Sequence, residues 1–449
     1  RSNEEWLAEG YGAPLRKRDV YNLPGLDEQA ACDLAERVLE RNVEDPMKRE
    51  SYRRSTEFQK LMDILDGYPL PIQVVLANLA HQEPAGVLKA LITGEAIEDS
   101  KIKDKTESII LCIEYSHSNL EPDDQKLLLC LALFSGVVVE GLMKHYIERL
   151  KAQPALTSLP FDRWIEVLKE AQKWGLITRD KTRGILRLQP VLPYFLCAKL
   201  NLEPDIRQAV ETAFRNHYCD VGAVLTEMMQ SDLTKEKQDG QKLTSTEYEN
   251  LCQALELDIE AHDSILFPFS ALSNYLDATY DQKKALMMGQ KVLAGLEEYP
   301  PEILKGQIGV ELVGVLDYIA KCYLQLEMLT EAETTYKRAL ELNEQNIVFD
   351  DKTKAVTKAG ICFQLGIVAQ EQRHWEEAEK CYNKAQELFI EFGEHLSQAG
   401  TYHQLGILAQ RQRHWEDAEY NYKAALRIFI RLAERSSQAS TYFQMGVLA

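Results

Sequence analysis

The sequence predicts a mostly α-helical protein whose carboxyl-terminal part is an α-solenoid of two-helix repeats. Three observations predict it. Residues 364–378 (QLGIVAQEQRHWEEA) return forty residues later as 404–418 (QLGILAQRQRHWEDA) with twelve of fifteen positions identical, and a third copy opens at Gln444-Met445-Gly446. A fixed period of this size marks a supersecondary unit that cannot bury its apolar face alone, so neighbours stack into an open array. Apolar residues inside each copy recur at helical steps. The composition, 45% hydrophobic and 27% charged with 15 prolines in 449 residues, suits packed helices rather than a disordered chain.

Within one repeat, helix A is expected over 357–372, with Ile361, Leu365 and Ala369 at four-residue steps, and helix B over 376–392, with Ala378, Tyr382, Ala385, Leu388 and Phe392 on one stripe. Gly366 and Ala378 lie twelve positions apart, where small side chains let the two helices approach, and Gly406, Ala418, Tyr422 and Ala425 repeat the set. A degenerate copy is legible at Ile319, Ala320, Tyr323, Ala332, Tyr336 and Ala339, and a weaker one around Ala285, which starts the array near residue 266. Trp375 and Trp415, at helix starts one period apart, read as core or inter-repeat anchors.

A Leu-Gly pair in helix A followed by Ala, aromatic, Ala in helix B resembles the tetratricopeptide repeat, although the usual period is about 34 residues. The resemblance implies an inner surface lined by Phe363, Gln364, Ile367, Gln370 and Glu371, then His403, Gln404, Ile407, Gln410 and Arg411. Repeats of this kind that grip a terminal carboxylate need lysine and asparagine there, which are absent. A groove of neutral amides and apolar groups suits a polypeptide or helical partner read by hydrogen bonds and shape.

Ahead of the array the chain is not repetitive. Residues 21–39 read as a short loop and an amphipathic helix with Leu26-Asp27 supplying the cap, and 55–64 as a second helix. Gly67-Tyr68-Pro69-Leu70-Pro71 forces a turn before an apolar helix at 72–79. Further on, 125–134 is an apolar helix, 161–174 is another with Trp164, Val167, Leu168 and Ala171 on one face, and 176–178 and 185–188 flank 179–184 as a hairpin. Helices and strands at that spacing form a winged helix. Residues 201–265 read as a helical linker, with helices at 205–218 and 245–257, the second capped by Thr244-Ser245-Thr246-Glu247, and a polar surface loop at 230–241 between them.

The order helix, glycine-x-proline turn, helix resembles the helical subdomain of NB-ARC proteins, the nucleotide-switched signalling ATPases of the STAND group. Arg1-Ser2-Asn3-Glu4-Glu5-Trp6-Leu7 is similar to the end of that family's sensor strand. Residues 21–31 are similar to the entry of its first helical subdomain, although Gln29 replaces the second acid, and Glu114-Tyr115-Ser116-His117-Ser118-Asn119-Leu120 to the start of its winged-helix subdomain. The resemblance implies a remnant of the nucleotide-binding core at 1–18, a helical subdomain at 19–100, a winged-helix subdomain at 101–200, the linker at 201–265 and the repeat array at 266–449. It also implies cofactor contacts: Arg1 as the sensor arginine, Pro69 beside adenine, and Gln189 where the family has a histidine against the terminal phosphate of ADP. Gln189 keeps a hydrogen-bond donor but lacks the charge and pH response of histidine. The plainer readings are a proline that merely starts a helix, a glutamine that packs or caps, and an arginine that can do nothing alone.

No GxxxxGK[ST] run occurs in the 449 residues. Phosphoryl transfer by that mechanism needs such a loop and an acidic strand end. The chain is therefore expected not to be catalytic by that mechanism, and, because Arg1 already matches the family's sensor arginine and the sequence breaks off inside a repeat helix A, the resemblance implies a fragment cut at both ends, with ADP or ATP bound in the intact protein and no cofactor here. The formal net charge of −19 argues against nucleic acid as partner; the basic cluster Arg179, Lys181, Arg183 and Arg187 on the hairpin is the one feature favouring DNA readout. Nine singly scattered cysteines read as reduced side chains of a cytosolic protein, His217 and Cys219 form the nearest approach to a metal pair with no second pair at ligand spacing, and the longest apolar run, 127–139, is too short for a bilayer. The expected function is the ligand-sensing and regulatory portion of a nucleotide-switched signal-transduction protein, with a protein or peptide on the repeats and homo-oligomerisation on activation. The alternative is a nucleotide-independent scaffold.

Overall fold

The computed structural model describes residues 26–65, 67–93, 105–180, 184–346 and 350–448. They form two compact units that divide between Phe214 and Arg215.

The first unit begins with α1 (Glu28–Asn42), capped by Asp27, whose carboxylate accepts from the Ala30 amide at 2.7 Å. Ala31, Ala35, Val38 and Leu39 are its buried stripe. After α2 (Pro46–Arg54) and α3 (Thr56–Leu65), Gly67 takes φ +69°, and a Cβ there would stand 2.4 Å from the Leu26 carbonyl oxygen. Only glycine fits such an approach in the left-handed region. The prolines that follow open α4 (Pro69–Ala77), in the first turn where no amide is needed; Val74, Val75 and Leu76 are fully buried. Next come α5 (Pro84–Thr93), α6 (Lys105–Ser118) and α7 (Pro122–Leu129). The apolar helix expected to reach residue 134 stops at Leu129 and continues as turns.

A small antiparallel sheet follows, with strand order β1 (Val137–Val139), β3 (Ile185–Leu188), β2 (Ile177–Arg179). The hairpin is as the sequence predicts; β1, hidden inside a continuous apolar run, adds a third strand by pairing Val138 with Leu186. α8 (Glu140–Lys151) packs beside β1 and α9 (Trp164–Lys173) beside β2, while α10 (Leu192–Leu200) packs against α6 and α7. Phe134 stacks edge-on against both Tyr146 and Phe214 at 5.2 Å, and the Tyr146 hydroxyl donates to the Cys130 carbonyl at 2.7 Å.

The unit boundary falls inside α11 (Pro204–Gln230), which turns at 231–233 into α12 (Thr234–Glu260). This corrects the loop expected over 230–241, which is helix from Thr234. Its run of polar residues is a solvated helix face, and Gly240 is held against Met228 and Met229 rather than breaking the helix. Thr244 and Glu247 likewise lie mid-helix and buried; Glu247 accepts from the Tyr218 hydroxyl at 2.6 Å and from Asn250 at 2.7 Å.

The rest of the second unit is a succession of helical hairpins: α13 (Leu266–Thr279) with α14 (Gln282–Glu297), then, after the short α15 (Pro301–Leu304), α16 (Gln307–Gln325) with α17 (Leu329–Gln345). The hairpins continue as α18 (Asp351–Glu371) with α19 (Trp375–Glu391) and α20 (His395–Arg411) with α21 (Trp415–Arg431), before a further A helix, α22 (Arg435–Leu448). Two 17-residue helices and two three-residue connections make up the 40-residue period, so the extra length over the usual repeat lies in the helices.

A Cβ at Gly366 would stand 2.5 Å from the Tyr382 ring, and one at Gly406 2.5 Å from Tyr422. The glycine thus seats helix B's tyrosine within its own repeat. Two expectations need correction. Helix B buries Phe389, with Leu388 and Phe392 half-buried, because the buried stripe steps by four, three and four residues through Ala378, Tyr382, Ala385 and Phe389 at 3.6 residues per turn. Trp375 is half-buried against Ala369, Ala378, Tyr382 and Leu408, but Trp415 is 55% exposed and belongs to no core cluster among the described residues.

Candidate functional site

Two surfaces gather the residues singled out by the sequence. The first is the face of the A helices that helix B leaves open. On α18 the buried arc runs through Ile361, Cys362, Leu365, Gly366, Val368 and Ala369, so Gly360, Gln364, Ile367 and Glu371 share the opposite side. On α20 the same positions carry Gly400, Gln404, Ile407 and Arg411. Glu371 and Arg411 join at 3.0 Å, and His403 Nδ1 lies 3.0 Å from the Thr441 hydroxyl, so successive A helices lie within side-chain reach of one another.

The structure sorts the expected groove residues into two groups. Gln370 is 3% exposed, and its side-chain oxygen accepts from the Tyr382 hydroxyl at 3.3 Å; Gln410 accepts from the Tyr422 hydroxyl at 2.6 Å. These amides are structural. Phe363 and His403 lean on the same tyrosine rings at 5.8 and 5.6 Å, and burial pulls the His403 pKa below the usual histidine value, which favours the neutral ring. Gln364, Ile367, Gln404 and Ile407 remain half-exposed on the open side, and Arg411 is exposed.

The second surface is a cavity of about 460 Å³ in the first unit, between α1, α4, α9 and the β2 region. Gln189 lines it, as do Arg37 and Arg41 one turn apart on α1, Arg179 on β2 and Gln73 on α4. Gln189 is 6% exposed and its backbone amide donates to the Leu176 carbonyl at 3.0 Å. Arg179 is paired with Glu140, while Arg37 and Arg41 have no ion pair among the described residues. Pro69 is exposed at the start of α4 and does not line this cavity; Arg1 lies outside the described residues. The two outward arginines were not singled out from the sequence, because basic residues four apart on a helix are commonplace until a cavity is seen beside them.

Of the basic hairpin cluster, Arg179 pairs with Glu140 and Arg187 with Asp180 at 2.5 Å; 181–183 lie outside the described residues. Among the described residues no group of three His, Cys, Asp or Glu side chains is placed to hold a metal ion, and no helix is long and apolar enough to cross a membrane. Cys112 and Cys130 are pushed up to about 12 by burial, whereas Cys32 is exposed.

Residues 361–431 match the tetratricopeptide repeat family, whose repeats are modules of protein–protein interaction. No curated protein matches the chain. Among solved structures, BtubC (BKLC) from P. vanneervenii is 18% identical over 52% of this chain and 82% of its own, with a TM-score of 0.35. A STAND protein with a tetratricopeptide repeat sensor from Pyrococcus horikoshii is 16% identical over 95% of this chain, which spans 64% of that protein, with a TM-score of 0.32. A Rap protein complexed with competence and sporulation factor is 15% identical over 81% of this chain and 95% of its own, with a TM-score of 0.31. At these scores none of the three defines a shared arrangement of the whole chain.

Proposed function

We propose that the chain is the sensing and regulatory portion of a nucleotide-switched signalling protein of the STAND type, in which the array captures a protein or peptide partner on its open A-helix face. The observation that carries the reading is that face: Gln364 and Gln404 recur there half-exposed at one repeat interval with no hydrogen-bond partner among the described residues, beside Ile367 and Ile407, which are half-exposed although they also pack on their own repeats. Helix B covers only one side of each A helix, so a partner is the natural source of burial for the other.

The nucleotide part of the reading is supported by the first unit. Gln189, at the position where NB-ARC relatives have a phosphate-contacting histidine, lines a cavity with three arginines, the residue type suited to phosphate oxygens. The α1 to α4 order, the three-stranded sheet and α8 to α10 fit a helical subdomain followed by a winged helix. In this reading partner capture shifts the equilibrium between a closed ADP-bound state and an open state that oligomerises. A plain scaffold is the second reading, favoured by the lack of any phosphate-binding glycine loop in these residues.

The deciding experiment is mass spectrometry of nucleotide released from the natural full-length protein, purified with and without a bound peptide partner. Retained ADP that is lost on partner binding supports the switch; nucleotide-free protein that still binds the partner selects the scaffold.

A further inference from the structure

The small sheet holds two of its helices apart. α8 packs beside β1 and α9 beside β2, with β3 between those strands, so about two strand spacings, roughly 10 Å, separate the two edges. Between the helices lies a cavity of about 560 Å³. On α8 its lining positions are 140, 143, 144, 147, 148 and 151, a single stripe along the whole 12-residue helix, or about 18 Å. Its apolar lining is Met143, Ile147, Phe161, Trp164, Ile165 and Leu168, of which Ile165 is 68% exposed. Trp164 is 3% exposed, yet its indole Nε1 has no hydrogen-bond partner, which a buried indole N–H ordinarily finds. Lys151 pairs with Asp162 at 3.2 Å and Arg179 with Glu140. Lys144 and Lys169 also line the cavity, exposed and without an ion pair among the described residues, against the single unpaired carboxylate of Glu148.

We propose that the cavity between α8 and α9 binds a linear aliphatic carboxylate of the fatty-acid class, its chain along the apolar lining and its head group at Lys144 and Lys169. The volume falls within the roughly 300–1,000 Å³ of small-molecule sites. Shape selects a chain. A helix with its side chains is about 10–12 Å across, too wide to enter between edges roughly 10 Å apart, whereas an alkyl chain can lie along the stripe. Charge selects the head group. A neutral chain leaves both lysines unanswered and a cation meets them with like charge, while a carboxylate pairs with them and can supply the acceptor that the Trp164 indole lacks. This is a different cavity from the one that Gln189 lines, although Gln172 and Arg179 border both. The inference goes beyond the sensing and switching reading and does not depend on it.

The test is isothermal titration calorimetry of the 449-residue chain with decanoate, beside decanol and decylamine as neutral and cationic chains of the same length. One decanoate per chain is expected to bind, with the other two at least about tenfold weaker. Lys144→Gln with Lys169→Gln is expected to weaken decanoate about tenfold and leave decanol unchanged, whereas Ile165→Ser is expected to weaken both. Lys144, Lys169 and Ile165 are exposed, so circular dichroism should show the fold of each variant intact. Hydrogen exchange locates the site: decanoate should protect α8 and α9 and leave α18 to α21 unchanged. No binding of decanoate at about 1 mM, equal affinity for the three chains, undiminished affinity in the double lysine variant, or protection confined to the array would each overturn the proposal.

Discussion

The glycines of α18 allow the packing argument to be tested within one helix. Substituting Gly366→Ala places a methyl 2.5 and 2.6 Å from two carbons of the Tyr382 ring, against an optimum of roughly 3.5–4.0 Å. The ring is fully buried, with Phe363 leaning on one side and its hydroxyl tied to Gln370, so it cannot retreat by the ~1 Å required without opening the hairpin. Overpacking of this kind costs about 1–3 kcal/mol, offset by about 0.5–1 kcal/mol of improved helix propensity. Gly360→Ala, six residues earlier on the open side, meets nothing and keeps only the gain. The two variants should therefore differ by about 2 kcal/mol, with wild type between them. Urea titration followed by circular dichroism at the helix band reads this as midpoints on opposite sides of wild type. A Gly366→Ala protein as stable as wild type would refute the claim that this glycine exists to seat Tyr382.

Four further outcomes follow from the same packing and electrostatics. Tyr422→Phe removes a 2.6 Å bond to Gln410 and should cost about 1 kcal/mol, whereas Tyr336→Phe should be neutral or mildly stabilising, because the Tyr336 hydroxyl is buried without a partner; paired thermal melts decide it. Ala433 adopts φ +57° where the preceding repeat has Gly393, so Ala433→Gly should gain about 1 kcal/mol in the same assay. Burial, opposed by Arg215, raises the Asp258 pKa to about 6; its stabilising contribution is therefore complete below about pH 4 and lost as pH rises through 6, a decline of up to about 3 kcal/mol that Asp258→Asn should flatten in hydrogen exchange of α12. Burial, reinforced by Lys199, lowers the His117 pKa to about 4, which has the opposite sign: α6 should lose protection as pH falls from about 6.5 toward 4, and His117→Phe should abolish that loss.

Legibility from the sequence tracked how strictly a feature repeats. The Gly, Ala, Tyr, Ala signature placed both helices of each late repeat, because the same contact is written twice at a forty-residue interval. It faded in α16 and α17, where Ala320 stands for glycine and Leu324 for glutamine, although the hairpin forms all the same. The 230–241 segment misled because the six consecutive polar residues Thr234–Asp239 followed by a glycine look like a loop, whereas they are the solvated start of a long helix that buries only Gly240 within this stretch. Trp415 misled because a large aromatic at a helix start suggests an anchor, yet the sequence holds nothing about what its neighbours leave uncovered. At the candidate groove, periodicity identified Gln364 and Gln370 alike, and only the tyrosine hydroxyl geometry separated the free amide from the spent one.

The central claim, recognition of polypeptide on the open A-helix face, is tested most directly by the affinity of library-selected peptides for two double variants. Gln364→Arg with Gln404→Arg alters that face, and Glu379→Arg with Glu419→Arg alters the exposed side of the B helices. The account predicts weakening of at least about tenfold for the first and under about twofold for the second. Equal effects, or loss confined to the B-helix variant, would contradict it.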